Sequence, residues 1–174
     1  MKYLKTSEQN SLKRLDFNYK NLTSLPELPD SLEALICYNN QLTSLPKLPD
    51  SLEKLICFSN QLTSLPELPE SLEVFSCSDN KLTSLPELPD SLRHLRCRDN
   101  DLTSLPELPE SLKELICYSN QLNSLPELPD SLIYLSCDDT YLPYTNLDEY
   151  ISWHIETYPT GKYAVRKDAE EYNL

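Results

Sequence analysis

The chain has 174 residues, which is enough for one domain with a sizeable core. Its net charge of −13 argues against a general nucleic-acid or anionic-membrane binder, because those surfaces attract basic proteins. The single glycine, Gly161, excludes glycine-rich phosphate loops and dinucleotide-binding fingerprints, since each of these motifs needs several glycines.

The chain opens with a short polar lead-in over residues 1–11. The segment "MKYLKTSEQN" has no apolar core of the kind found in cleaved secretion signals, so we expect no such signal. No apolar run in the sequence approaches the roughly 18 residues that a membrane-spanning helix needs. We therefore expect no membrane partner.

A repeat with a period of 20 residues occupies residues 12–142. Its unit is "LTSLPELPDSLEALICYNNQ". The leucines that mark the period are Leu22, Leu42, Leu62, Leu82, Leu102, Leu122 and Leu142. A unit this short cannot bury its apolar face alone, but successive units can stack on one another. The pattern predicts a solenoid.

Each unit is expected to contribute one short strand, near residues 34–38 in the second copy. Leu35 and Cys37 would point into the stack, while Ala34, Ile36 and Tyr38 would point outward. Strands of successive turns would pair in parallel at a spacing of about 4.8 Å. The "LPELPD" half would return along the convex side in an extended or polyproline-like conformation, because its prolines cannot sit inside a helix.

The unit resembles a known family. It is similar to the short 20-residue leucine-rich repeats of type III-secreted bacterial effectors. The form with a Cys before the Asn also resembles leucine-rich repeat proteins of amoebal giant viruses. The resemblance implies a leucine-rich repeat solenoid, and says less about function because the matching residues are those of the scaffold. Some of these effectors carry an additional ubiquitin-ligase domain, which we do not expect in this chain.

Two polar rows accompany the leucines. The cysteines are Cys37, Cys57, Cys77, Cys97, Cys117 and Cys137. With a uniform spacing and no C-x-x-C pair, they are expected to be buried free thiols of a reducing compartment rather than disulfides or zinc ligands. The Asn row, which includes Asn40 and Asn100, is expected to bond backbone groups of its own and the next turn.

Carboxylates crowd the predicted convex side. They are Glu27, Asp30, Asp50, Glu67, Glu70, Glu87, Asp90, Glu107, Glu110, Glu127 and Asp130. Lys47 interrupts the row. Such a row can bind calcium, but it lacks the turn glycines that bring oxygens together. We therefore interpret it as a solvated edge that favours solubility, and expect no metal or other cofactor.

The positions that the repeat leaves free should line the concave face. The candidate partner-binding residues are Ile36, Tyr38, Ile56, Phe58, His94, Arg96, Arg98 and Tyr118. The first four predict an exposed apolar patch, and exposed patches of this kind tend to mark interaction sites. Aromatic and Arg side chains are also the usual hot-spot residues of interfaces.

The turn "SLRHLRCRDN" is basic in an otherwise acidic chain. It keeps every scaffold residue and changes only outward ones, which is the pattern expected of a recognition surface. The alternative is drift, in which Glu114 of the next turn simply pairs with His94 or Arg96. The sequence leaves both interpretations open.

Residues 143–174 differ from the repeat. The segment "NLDEYISWHIETY" has apolar residues at helical spacing, with Asn146 as a predicted N-cap. We expect a helical cap over the open end of the stack, with Trp153 packed beneath it and His154 as a structural residue. The last residues, "KYAVRKDAEEYNL", are expected to form a second short helix or a loose tail.

An enzymatic function is not predicted. Nucleophilic catalysis needs a base within hydrogen-bond reach of the nucleophile, and Cys97 should face away from His94. We expect a non-enzymatic, monomeric scaffold that binds a protein partner. One alternative is a substrate-recognition or adaptor subunit for a ubiquitin-transfer system on another chain. The other is a structural repeat protein without a fixed partner.

Overall fold

The computed structural model of the chain describes residues 12–137, which form a stack of repeat turns with one strand per turn. The strands are β1 (Arg14–Asp16), β2 (Ala34–Ile36), β3 (Lys54–Ile56), β4 (Val74–Ser76), β5 (His94–Arg96), β6 (Glu114–Ile116) and β7 (Tyr134–Ser136). They form one parallel sheet in chain order. The predicted leucine-rich repeat solenoid is confirmed.

The register of the sheet follows the repeat period. Leu35 of β2 pairs with Leu15 of β1 and with Leu55 of β3, so every turn adds one equivalent rung. Pairing continues beyond the three-residue strands, because the Cys37 N–H donates to the Ile56 carbonyl at 2.8 Å. Parallel pairing of such short strands holds because the whole turn, and not the strand alone, repeats its hydrogen bonds.

The core lies between the sheet and the returning segment. Leu35 and Cys37 are fully buried, as predicted for the inward strand positions, and Phe75 replaces the leucine in β4. Leu32, Leu42 and their equivalents in later turns complete the core. Each fully buried leucine contributes roughly 1.5–3 kcal/mol of transfer free energy, so the leucine rows supply most of the stability.

The returning side is extended and contains no helix between residues 12 and 137. A tight turn closes each "LPD" segment, for example where the Leu52 N–H donates to the Pro49 carbonyl at 3.1 Å. The following serine links adjacent turns, since the Ser51 hydroxyl donates to the Leu32 carbonyl at 2.8 Å. This side therefore matches the predicted extended conformation.

The Asn row joins adjacent turns, but in the direction opposite to the one predicted. The Asn100 amide donates to the carbonyls of Cys97 in its own turn and Cys77 in the preceding turn, both at 3.1 Å. Its oxygen accepts the Leu82 N–H at 3.0 Å. The prediction of a side-chain bond to the next turn is wrong. The carbonyl at the strand exit of the preceding turn, that of Cys77, is the one within reach of the Asn100 amide.

A residue in the left-handed conformation precedes each of these asparagines. The φ angles are 53° for Asn39, 52° for Ser59, 55° for Asp79, 53° for Asp99 and 53° for Ser119. Asn and Asp tolerate this region better than other non-glycine residues. The fold therefore makes its sharp strand exits without glycine.

Several predictions lie outside the described residues. These are the N-terminal lead-in over residues 1–11, the end of the repeats at residue 142, and the helical cap and tail over 143–174 with Trp153 and His154. They stay predictions.

Candidate binding face

The outward side of the sheet, which we call the strand face, carries the variable positions of the repeat. The pairing aligns them in rows that run across the strands. One row contains Ile36, Ile56, Ser76, Arg96, Ile116 and Ser136. A second row, just past the strand ends, contains Tyr38, Phe58, Ser78, Arg98 and Tyr118. The structure thus brings the predicted site residues onto one face.

Aromatic rings are stacked at one end of this face. The Tyr38 and Phe58 rings have centroids 4.3 Å apart and planes only 8° from parallel. Tyr19 packs edge-on against Tyr38, with centroids 5.4 Å apart and an interplanar angle of 82°. Tyr19 is 69% exposed, and the repeat pattern did not single it out because it falls one position out of phase. The register alone sets Tyr38 and Phe58 side by side.

The apolar part of the face is less exposed than predicted. Ile36 is only 6% exposed, so the prediction that it contributes to an exposed patch is wrong. Ile56, Tyr38 and Phe58 are half-buried. Ile36 is paired with Asp16 of β1 and Ile56 of β3, so it has neighbours on both sides within the sheet. The accessible apolar surface is therefore mainly aromatic.

Glu114 contacts two side chains of the basic turn. Arg96 donates from Nε to Oε1 of Glu114 at 2.6 Å, and His94 Nδ1 lies 3.9 Å from Oε2 of the same carboxylate. The side chains of Arg96 and Glu114 are 25% and 18% exposed, so the pair is largely shielded from solvent. The predicted neighbourhood of His94 and Glu114 is confirmed, and the basic turn is locally balanced.

Arg98 is held by two groups. Its Nη1 donates to Oδ2 of Asp99 at 2.6 Å, and its guanidinium carbon lies 5.5 Å from the centroid of the Tyr118 ring. A cation over a ring face is attracted by the ring quadrupole. The two contacts hold the guanidinium beside the Tyr118 ring.

Between the aromatic rings and the arginines, the turn that contains β4 carries two small side chains. Ser76 and Ser78 stand where the neighbouring turns carry Ile56 and Phe58 on one side, and Arg96 and Arg98 on the other. They are 7% and 5% exposed. These two serines are therefore covered within the strand face, between the aromatic residues and the arginines.

The thiols take no part in this face. All six cysteines are free and buried. Burial raises the pKa of Cys37 and Cys97 to about 12 and raises the pKa of Cys57, Cys77 and Cys117 well above 9.0. Cys97 lies in the core while His94 points outward, so the structure does not bring them together.

The opposite side of the stack is acidic. A groove of about 520 Å³ is lined by Glu67, Glu70, Glu87 and Asp90 together with prolines and leucines. Within residues 12–137, no group of three or more His, Cys, Asp or Glu side chains is arranged to hold a metal ion. The same part of the structure has no helix with the length and apolarity needed to cross a bilayer.

Solved structures of bacterial effectors share this architecture. YopM from Yersinia enterocolitica superposes with a TM-score of 0.75 at 43% identity, covering 78% of this chain and 31% of its own. YopM from Yersinia pestis, a leucine-rich effector protein, gives 0.60 at 36%, covering 70% of this chain and 42% of its own. This chain thus spans less than half the length of either YopM chain.

A third structure is matched over most of its length. The leucine-rich repeat domain of a Shigella effector gives a TM-score of 0.68 at 31% identity, with 90% of this chain and 81% of that domain covered. No protein-family model and no curated protein sequence matches the chain. The Shigella match, the 20-residue period and the parallel one-strand turns agree, and the chain belongs to the short-repeat leucine-rich repeat family that includes these bacterial effector domains.

Proposed function

We propose that this protein is a non-enzymatic scaffold that binds a protein partner on its strand face. The binding residues are Tyr38, Ile56, Phe58, His94, Arg96, Arg98 and Tyr118. The observation that carries the proposal is the constant repeat frame, on which only the outward positions gather stacked rings and oriented arginines. Aromatic and Arg side chains dominate binding energy at protein interfaces.

The ion pairs within the strand face affect how it would distinguish one partner from another. Arg96 is bonded to Glu114 and Arg98 to Asp99, so the arginines add little net positive charge. A partner would be selected by the geometry of these fixed groups rather than by long-range attraction. The same pairs also fit the drift interpretation, in which they merely neutralise one another. An experiment must separate the two.

The test exchanges both arginines for the residues of the preceding turn. Arg96→Ser with Arg98→Ser copies Ser76 and Ser78 and leaves the frame unchanged. We expect the affinity for the partner to fall by about 2 kcal/mol or more if these are hot spots. The free energy of unfolding should fall by no more than about 1 kcal/mol for Arg98, whose ion pair is partly exposed. The loss should be about 1–3 kcal/mol for Arg96, because its removal leaves the part-buried Glu114 carboxylate without its partner.

A charge-matched control keeps the experiment specific. Arg93→Ser with Lys113→Ser removes the same charge from exposed positions beside the strands rather than on the strand face. Tagged parent and variants would be used to capture proteins from host-cell lysate, and the affinity for the captured protein would then be measured. If the arginine variant binds as tightly as the parent, the basic turn is drift. Ubiquitin-ligase components among the captured proteins would favour the adaptor function.

We also propose that the protein acts in a reducing intracellular compartment, with the host cytoplasm as the setting. The similarity to effector domains supports this, as do the six free thiols within the described core. Free cysteines persist where cellular thiol reductants are present.

A further inference from the structure

Two arginines of the basic turn are neighbours on the strand face. Arg96 ends β5 and Arg98 follows two residues later, so both occupy outward positions with their Cα atoms about 7 Å apart. Their side chains are 25% and 37% exposed. A partner can therefore reach both guanidinium groups from solvent.

The carboxylates that pair with these arginines lie on their outer sides. Glu114 is opposite His94 in the register of the sheet and contacts both His94 and Arg96, so it lies toward the start of the strand. Asp99 follows Arg98 in the chain and accepts from its Nη1 at 2.6 Å, so it lies toward the strand exit. Among the described residues, no other carboxylate forms an ion pair with either arginine, and the interval between the two guanidiniums has no anion of its own.

Each guanidinium keeps hydrogen-bond donors that the protein does not use. A guanidinium has several N–H groups, and Arg96 is bonded through Nε while Arg98 is bonded through Nη1. In the part of the chain that the structure describes, neither side chain has a buried nitrogen without a hydrogen-bond partner. The N–H groups that remain are therefore open to solvent. They can donate to an acceptor on a partner without breaking the two existing ion pairs.

We propose that the interval between the Arg96 and Arg98 guanidiniums binds one carboxylate of a protein partner, from an Asp or Glu side chain. The inference rests on the proposed function and specifies which partner group the strand face recognises. The carboxylate completes a row of alternating charge along the strand, since Glu114 and Asp99 already occupy its two ends. A planar guanidinium matches a carboxylate with two parallel hydrogen bonds, which a lysine ammonium cannot form.

The alternating order makes the interval attractive to an anion although the chain is acidic. The partner's carboxylate would contact both cations directly, whereas Glu114 and Asp99 would lie on the far sides of those cations. Because Coulomb energy falls with distance, carboxylates at roughly twice the distance repel about half as strongly as the cations attract. Charges elsewhere on the chain are screened beyond a Debye length of about 8 Å at physiological ionic strength.

A phosphate group also binds arginine, but it fits these charges less well. Its second negative charge would have no cation of its own, since each arginine is already paired with a carboxylate. A neutral acceptor, such as the amide of an Asn side chain, would form hydrogen bonds without the ionic attraction. The charge balance therefore favours a single carboxylate.

The test variants change the shape of the donor group and keep its charge. Arg96→Lys and Arg98→Lys each retain a positive charge, so the ion pairs with Glu114 and Asp99 can persist and we expect both variants to fold. Each removes a planar fork of N–H donors. Arg93→Lys is the matched control, because it makes the same exchange at an exposed arginine of the same turn, beside the strand rather than on the strand face.

The probe is the α-amide of N-acetyl-aspartic acid, which carries one side-chain carboxylate, titrated into the parent protein while the arginine Nε–H signals are recorded by NMR. We expect the signals of Arg96 and Arg98 to shift. Binding should weaken about fivefold or more in each of their Lys variants, because a bidentate contact is lost, and should be unchanged in Arg93→Lys. The α-amide of N-acetyl-asparagine, a neutral probe of the same shape, should shift these signals much less, as should the corresponding phosphoserine probe.

Each contrary result overturns the proposal in a definite way. No shift at the two arginines would mean that the interval does not admit a carboxylate, and equal binding of the asparagine probe would indicate a site for neutral acceptors. Tighter binding of the phosphoserine probe would indicate a phosphate site. Unchanged binding in both Lys variants would mean that positive charge alone attracts the probe. If both Lys variants bind the captured partner as tightly as the parent while the arginine-to-serine variant does not, the carboxylate proposal fails and the proposed function survives.

Discussion

The six thiols show how far burial alone changes a residue's chemistry. Cys97 is fully buried between leucine rows, and the cost of placing a thiolate there raises its pKa to about 12. The neighbouring thiol of the preceding turn, Cys77, is raised as well, first by burial and then by the charge that Cys97 would carry. A ladder of such groups is unreactive as a nucleophile. Its function is to fill the core.

The raised pKa predicts an alkaline loss of stability. The folded protein keeps the Cys97 proton at pH values where the unfolded chain has lost it. The stabilising effect is therefore complete below the ordinary pKa of 9.0 and is lost as pH rises toward about 12. Between pH 9.5 and 11, we expect each such thiol to lower the free energy of unfolding by about 1.4 kcal/mol per pH unit.

Chemical denaturation of the parent and of Cys97→Ala over this pH range measures the effect. The variant should be less stable near pH 7, by about 1–2 kcal/mol, because it loses burial and leaves a small cavity. Its stability should also fall less steeply with pH, which separates this thiol from the tyrosines and lysines that titrate in both proteins. Parallel pH profiles for the two proteins would contradict the assignment.

At the scale of one repeat turn, the side chains of the Asn row join adjacent turns by hydrogen bonds. In sheets with longer strands, bonds between the strands themselves have this function. The Asn100 amide reaches the carbonyls of Cys77, Cys97 and Arg98, while its oxygen accepts the Leu82 N–H. Asn100 is 8% exposed, so water cannot replace these bonds. One side chain thus fixes the strand exit of two turns.

Replacing this Asn should be among the most destabilising single changes in the chain. Asn100→Leu keeps the approximate volume but leaves the buried Leu82 N–H without its partner, at a cost of about 1–3 kcal/mol. It also removes one of the two bonds that each of the carbonyls of Cys77, Cys97 and Arg98 accepts, at about 0.5–1.5 kcal/mol per bond. We expect a loss of about 3–5 kcal/mol, measured by urea denaturation. Asn123→Leu makes the same change at an exposed position and should alter stability by no more than about 0.5 kcal/mol. Similar losses at the two sites would refute the bridging role.

Different turn features were predictable to different degrees. The period predicted the strands, the inward Leu35 and Cys37, and the extended return side, because a repeat fixes which residues face the core. It did not predict that the Asn100 side chain bonds the preceding turn. A fixed period relates each residue equally to the turns before and after it, so it does not show which of them the side chain reaches. The left-handed Asp99 was also missed. Its slot holds Asn, Asp or Ser, and Ser is no strong signal for that conformation.

The candidate site was predictable as a face but not as an arrangement. The period aligned Arg96, Arg98 and Tyr118 on one side of the sheet. It left open whether Glu114 pairs with His94 or with Arg96, and the structure shows contact with both. It also could not show that Ile36 is covered, because burial on this face depends on the side chains of two neighbouring turns.

At the scale of the molecule, charge is distributed unevenly between the two sides of the stack. On the strand face, Arg96 is paired with Glu114 of the next turn and Arg98 with the adjacent Asp99. On the opposite side, Glu67, Glu70, Glu87 and Asp90 line one groove, and Lys47 is the single cation in the corresponding rows. Carboxylates on successive turns lie well within a Debye length of about 10 Å at 0.1 M salt, so they repel one another.

Because the groove is acidic, a cation placed in it should stabilise the stack. Glu87→Lys introduces into the acidic groove the residue type that Lys47 supplies in its own turn. We expect it to raise the free energy of unfolding by about 0.5 kcal/mol at low ionic strength, because repulsion is replaced by attraction, with most of the gain lost in 1 M salt. Thermal melts at both salt concentrations measure it.

A second variant with the same change in net charge separates local from global electrostatics. Glu73 lies 3.8 Å from Arg93, so Glu73→Lys removes an ion pair and places two cations side by side. If total charge governed stability, both variants would be stabilised, since each moves the chain from −13 toward neutrality by two charges. We expect opposite signs, with Glu73→Lys destabilised at low salt. Stabilisation of both would mean that the stack responds to its overall charge, and that the pairing seen on individual turns has little energetic weight.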